Sequence, residues 1–174
     1  MRTPNELSTF TSSLSSTLQA KCSHTTSLPA RIFGPENSDC ECAQRFRFEN
    51  RAYAACIPQD FWYLGEDDIE FNREVFDEVI KVYASNLNLA LRKGYGLFMQ
   101  GANGIGKTSF ACWILTQVIR RRPYTVYYTT MMRLRKDVQL GFNSGEAKEQ
   151  LAAMLASDFV VIDELGKETW KAGD

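Results

Sequence analysis

The run Gly101-Ala102-Asn103-Gly104-Ile105-Gly106-Lys107-Thr108 has the composition needed to hold a polyphosphate. It matches G-x-x-x-x-G-K-[ST] at every fixed position. Its glycines let the backbone bend so that successive N–H groups converge on phosphate oxygens. A helix opening near Lys107 adds the positive end of its dipole. The Lys107 ammonium suits the β- and γ-phosphates of ATP, and the Thr108 hydroxyl is a hard oxygen ligand for Mg²⁺. Ser109 follows on the same turn. A second constellation lies further on, where the apolar run Phe159-Val160-Val161-Ile162 ends in Asp163-Glu164. At the C-terminal end of a parallel strand, Asp163 is expected beside the phosphate loop, holding Mg²⁺ through water. Glu164 is then placed to polarise an attacking water. A second carboxylate favours hydrolysis over transfer to an acceptor, which argues against a simple nucleotide kinase.

These residues need particular elements to carry them. A short strand is expected over Tyr95–Gln100, followed by the glycine loop and a helix from Lys107 to about Arg121, broken at Pro123. Thr125–Thr129 is β-rich and reads as a strand. Helices are expected over about Met131–Leu140 and Glu146–Ala156, and a last strand over Asp158–Asp163. Strands alternating with helices predict an α/β fold, with a parallel sheet covered on both faces. Upstream, Phe71, Val75, Val79, Tyr83, Leu87 and Leu91 recur every four residues and predict one long helix from Ile69 to Lys93, stopped by Gly94. Pro58–Asp68 is a connector whose Phe61, Trp62 and Tyr63 either pack against the core or border the adenine.

The first third is different in composition. Met1–Lys21 is rich in Ser and Thr, which compete with helical hydrogen bonds, and reads as flexible or weakly helical. Residues 22–57 hold Pro29, Gly34 and Pro35 and read as turns and short strands. Cys22, His24, Cys40 and Cys42 form two pairs able to wrap one tetrahedral Zn²⁺, with Cys56 able to replace His24. The competing reading is scattered reduced thiols, and Cys112, on the helix after the loop, is expected in the core. The organisation is thus a flexible stretch (1–21), a cysteine-rich, zinc-binding module (22–57) and a nucleotide domain (58–174). No repeat is evident.

Bulk composition sets limits. At 174 residues and 44% hydrophobic, the chain can bury one domain core. The net charge of −1 gives no global drive toward nucleic acid, so any such surface must be local. Three local candidates exist. Arg45, Arg47 and Arg51 alternate with Phe46, Phe48 and Tyr53, Arg120–Arg122 end one helix, and Arg133, Arg135 and Lys136 lie early on another. Stacking and phosphate contacts there would suit a single strand, and the alternative is solvated faces and helix-end charge. No apolar run reaches the ~18 residues of a membrane span, and the N-terminus lacks an apolar signal core, so a cytoplasmic protein without membrane contact is expected.

From about Cys22 to Glu168 the chain resembles bacterial and phage replicative helicase loaders of the DnaC/DnaI type and their IstB-like relatives that assist transposition. The likeness is carried by Cys40-x-Cys42, the connector Cys56-Ile57-Pro58-x-x-Phe61, the loop segment Gly94–Thr108 with its extra Gly104, and Val160-Val161-Ile162-Asp163-Glu164-Leu165-Gly166. The resemblance implies an AAA+ P-loop ATPase that oligomerises, grips single-stranded DNA near the helix after Thr130 and uses ATP to control a replicative DNA helicase. It implies an N-terminal zinc module that docks on that helicase. It also implies further strands, a sensor and an arginine finger, for which no length remains before Asp174. A C-terminally incomplete AAA+ domain is therefore expected, with ATP binding retained and hydrolysis dependent on those parts. A transposition helper and a non-hydrolysing zinc- and nucleotide-binding adaptor are the alternatives.

Overall fold

A computed structural model describes residues 4–20, 41–69, 73–121, 124–141 and 144–166. In chain order the elements are α1 (Pro4–Ala20), α2 (Glu41–Ala54), α3 (Arg73–Val82), α4 (Leu87–Lys93), α5 (Lys107–Arg120), β1 (Val126–Thr130), α6 (Met131–Gly141), α7 (Gly145–Leu155) and β2 (Phe159–Asp163). Short 3₁₀ turns lie at Gln59–Phe61, Glu66–Asp68 and Ala84–Asn86. β1 and β2 pair in parallel, with Val126 opposite Phe159 and Thr130 opposite Asp163. Side chains alternate along a strand. Val126, Tyr128, Phe159 and Val161 therefore share one face, packed with Phe110, Ile114 and Leu115 of α5 in the main core. The register is pinned at its start. Asp158 accepts hydrogen bonds from the Thr125 amide (2.7 Å) and hydroxyl (2.8 Å), and the Phe159 amide donates to the Thr125 carbonyl.

α5 is the centre of the molecule. From Phe110 to Ile119 all its residues but Gln117 are buried, so it is apolar all round rather than amphipathic. Phe110 and Trp113 enclose Phe76 of α3, with ring centroids 5.0 and 5.3 Å from it. Trp62 is buried as the connector packs inward, and its indole N–H donates to the Ile57 carbonyl at 2.9 Å. Its neighbour Tyr63 is more than half exposed. Arg51 of α2 donates to the Ile119 and Tyr124 carbonyls, placing a cation on the negative end of α5.

Several expectations are corrected. Residues 41–54 form a helix, not turns and strands. It packs on two sides at once, against Phe10 and Leu14 of α1 through Cys42, Ala43 and Phe46, and against the main core through Phe48 and Ala52. Two buried faces blur the single stripe that identifies a helix. Pro4–Ala20, read as flexible or weakly helical, is helical over its whole described span. The long helix of 69–93 is broken at Tyr83–Asn86. Strict four-residue spacing drifts about 40° per step around a helix. The chain instead buries or half-buries Phe76, Val79, Tyr83, Leu87 and Ala90, leaving Val75 and Leu91 outside. Gly94 does end α4, in the left-handed conformation, with its own amide on Leu91 and that of Tyr95 on Ala90.

Residues 95–100 are not a strand in this structure. They have no strand paired to them among the described residues, and Tyr95, Leu97 and Phe98 are exposed. α5 covers one face of the sheet; on the other, Tyr127 and Thr129 of β1 are buried while Val160 and Ile162 of β2 are more than a third exposed, so among the described residues the second face is covered over β1 only. None of the described helices is long and apolar enough to cross a membrane.

Replacing Arg51 removes two charge-assisted bonds to carbonyls, each of order 1.5–3 kcal/mol. Arg51→Ala is expected to lower unfolding free energy by about 3 kcal/mol, the low end for two such bonds, in urea titrations followed by tryptophan fluorescence. Arg51→Lys should recover only part, because an ammonium cannot span two carbonyls as a guanidinium does.

Candidate functional site

The loop from Gly101 to Gly106 bends because Gly104 and Gly106 take left-handed φ values of 82° and 88°. A side chain at either position would be strained by about 1–3 kcal/mol. Gly106 is also the N-cap of α5 and provides no side-chain cap. The first-turn amides are therefore left for an external acceptor. Gly101, Ala102, Asn103, Gly104 and Ile105 are exposed, whereas Lys107, Thr108 and Ser109 are half-buried on the first turn of α5. The Lys107 ammonium donates to the carbonyls of Gly101 (2.9 Å) and Ala102 (2.7 Å), folding the loop over its own cation.

Thr108 reaches across to the sheet. Its hydroxyl donates to Asp163 Oδ2 at 2.7 Å. The Tyr128 hydroxyl donates to the same oxygen at 3.0 Å, and the Glu164 amide donates to Oδ1 at 2.7 Å. Both carboxylate oxygens are thus held, and the group is aimed by three donors. Glu164 has a left-handed φ of 60°, rare for a residue with a side chain. That kink turns the chain at the end of β2, and strain of this kind is concentrated where function over-determines the backbone.

The structure therefore brings together Lys107, Thr108, Asp163 and Glu164 at the joint between α5 and β2. Tyr128 is an additional member that sequence reasoning missed. The available signal was register, since Tyr128 stands two residues before Thr130, the partner of Asp163, and so lies on the same face. Burial and the adjacent Asp163 raise the Tyr128 phenol above its ordinary range, so it stays a donor. The same two causes push the Cys112 thiol up to about 12. Cys112 is fully buried, as expected of a core residue.

Of the residues proposed for zinc, only Cys42 and Cys56 lie among the described residues. Cys22, His24 and Cys40 lie outside the described residues. Cys42 sits in the first turn of α2, half-buried beside Ala43 and Phe46, and Cys56 is buried beyond the other end of that helix. At 1.5 Å per residue they are roughly 20 Å apart, and thiolates on one Zn²⁺ must each lie about 2.3 Å from it. The alternative in which Cys56 joins Cys42 is thereby corrected. No cluster of three or more His, Cys, Asp or Glu able to hold a metal occurs among the described residues.

A family model described as IstB-like ATP binding protein matches residues 38–172. The chain belongs to this IstB-like ATP-binding family. No match was found among curated proteins or among solved structures. As an IstB-like chain it is an ATP-binding protein of the AAA+ P-loop class, and the site fits that ligand. Uncapped helix amides, a lysine and a hard-oxygen pair made by Thr108 and Asp163 are the donor set for a triphosphate with Mg²⁺. Mg²⁺, when bound, supplies charge that neutralises the phosphate oxygens. Lys107 would exchange its loop carbonyls for phosphate, Thr108 would turn its hydroxyl oxygen toward the metal, and Tyr128 would keep Asp163 in place as Thr108 lets go.

Two outcomes follow for this IstB-like chain. Lys107→Ala should weaken ATP binding at least tenfold with or without Mg²⁺, the size expected for a lost charge-assisted contact. Tyr128→Phe should leave Mg²⁺-free binding unchanged and raise the Mg²⁺ concentration needed for tight binding several-fold, both read by calorimetry. Separately, Cys112 should resist iodoacetamide at pH 8 in the folded protein, since only the thiolate reacts, and become labelled on unfolding. Mass spectrometry of the labelled peptides checks this.

Proposed function

We propose that this chain binds ATP with Mg²⁺ and, together with the sensor and arginine finger of a whole AAA+ domain, hydrolyses it, its nucleotide state controlling how a replicative DNA helicase is placed on single-stranded DNA. The observation that carries the enzymatic part is the carboxylate pair at the end of β2. Asp163 is committed by three donors to the position beside Thr108, while Glu164 is turned by its left-handed backbone and keeps a separate role. One carboxylate for the metal's waters and one to polarise the attacking water is the division of labour that hydrolysis requires. The roles of Lys107, Thr108, Asp163 and Glu164 are those of phosphate clamp, metal ligand, water-mediated metal ligand and general base.

The joint also supports coupling. The Thr108–Asp163 bond ties the first turn of α5 to the sheet, and nucleotide binding would redirect that hydroxyl. A change at the loop is then transmitted along a rigid helix to whatever its far end touches. Helicase, single-stranded DNA and further copies of this chain are the partners this reading assigns. A second reading, an ATPase that assists a transposase, is favoured by the family model, whose description is IstB-like. The two readings share the nucleotide chemistry and differ in the DNA.

Glu164→Gln should preserve ATP affinity and lower turnover about a hundredfold or more, the scale of a lost general base. Single-stranded DNA should stimulate wild-type turnover under the loader reading, and duplex DNA under the transposition reading. Turnover of the Glu164→Gln protein equal to wild type would remove the assigned base.

A further inference from the structure

α5 has two ends. Lys107 at the first is in the phosphate loop, and Arg120 at the last lies about 20 Å away by helix geometry. Around the last turn a cavity of about 780 Å³ opens between α2, the connector and α5. Four arginines line it, Arg45, Arg47, Arg51 and Arg120, against a single lining carboxylate, Glu41. In a chain whose net charge is −1 this is a concentrated positive field. Three come from one helix, α2, whose alternation of arginines with aromatic residues the sequence analysis singled out. The fold adds Arg120 from a segment remote in the chain.

The arginines stand on aromatic rings. The Arg120 guanidinium lies 4.3 Å from the centroid of the buried Phe48, and that of Arg45 lies 5.5 Å from the centroid of Tyr63. Tyr63 is 54% exposed and lines the cavity. Its hydroxyl donates to Glu49, which also holds Arg45 Nε at 2.6 Å. The platform is thus fixed from below. Burial and Glu49 push the phenol up to about 12, so it brings no negative charge to the cavity.

We propose that this cavity is a binding site for single-stranded nucleic acid, with a base stacked on Tyr63 and the flanking phosphates on Arg47 and Arg120. The chemistry favours a strand over a free phosphate, because the cavity joins an exposed aromatic side chain to several cations and exceeds the needs of one small anion. It deepens the DNA-handling part of the proposed function by giving the strand a place on this chain, and it is separate from the helix after Thr130. The location, at the far end of the helix that begins in the phosphate loop, offers a physical link between the two ligands.

The test uses the full chain and a fluorescent oligo-dT of about ten nucleotides, within the range one such site covers. Anisotropy at about 50 mM salt is expected to show binding that falls about tenfold in Arg47→Ala/Arg120→Ala. Its log–log salt slope should drop by about 1.4, that is 0.7 per lost phosphate contact. Calorimetric ATP binding should be unchanged in the same protein, which reports that it is folded. Arg51 is not used, because it holds backbone carbonyls. Should the double variant fold poorly, an oligomer carrying iododeoxyuridine should photo-cross-link to Tyr63 in the wild type. Oligomer binding unaffected by the double substitution, or cross-links confined to other regions, would overturn the site while leaving the ATPase reading standing. Equal competition by free dTMP would overturn it in favour of a mononucleotide pocket. Absence of any wild-type binding to oligo-dT would sink the site and the single-stranded DNA partner together, with ATP turnover judged separately.

Discussion

The hydrogen bond from the Thr108 hydroxyl to Asp163 joins the two parts of the molecule that matter for chemistry, the first turn of α5 and the last residue of β2. Neither group could be held there alone. A carboxylate at a strand end is solvated and mobile, and a threonine in the first turn of a helix can still choose between two χ1 rotamers. Each is fixed by the other, by Tyr128, and by the Glu164 amide. The rest of the fold serves this joint. β1 sets the height of Tyr128, the Thr125–Asp158 clasp sets the register that puts Thr130 opposite Asp163, and the Phe76–Phe110–Trp113 cluster fixes α5 against its neighbours.

α5 has an unusual burden for a helix of 14 residues. It carries the phosphate loop at one end, accepts Arg51 on the Ile119 carbonyl at the other, and is buried along nearly all of its length. A helix so enclosed moves as a rigid rod. Any rearrangement of the loop would be felt at Arg120, where the positively charged cavity lies. Packing, rather than a chain of polar contacts, is the connecting medium. That arrangement suits a protein in which a nucleotide at one place regulates a grip at another.

The amino-acid pattern made some of this legible and hid the rest for physical reasons. The loop glycines, Lys107, Thr108 and the Asp163–Glu164 pair were readable because phosphate binding demands those types at that spacing. α5, β1, α6, α7 and β2 were readable because each has a local signal and a clear stop. α2 was not, because it packs against two neighbours and its Ala43, Phe46, Phe48 and Ala52 form no single stripe. The break at Tyr83–Asn86 was hidden by a four-residue repeat that a straight helix cannot keep on one face. Tyr95–Gln100 has the β-rich residues of a strand, but a strand exists only with a neighbour to hydrogen-bond, and composition does not supply one. Tyr128 belongs to the site through cross-strand register, a non-local property. The separation of Cys42 from Cys56 by a helix is likewise invisible to spacing alone.

The central claim is that amides, Lys107 and the Thr108–Asp163 pair form one site for a triphosphate with its metal. Calorimetric titration of ATP into the wild-type chain, with Mg²⁺ and with EDTA, tests it most directly. A single saturable site per chain, bound more tightly when Mg²⁺ is present, is the result this account requires. Absence of heat at millimolar ATP, or binding indifferent to Mg²⁺, would contradict it.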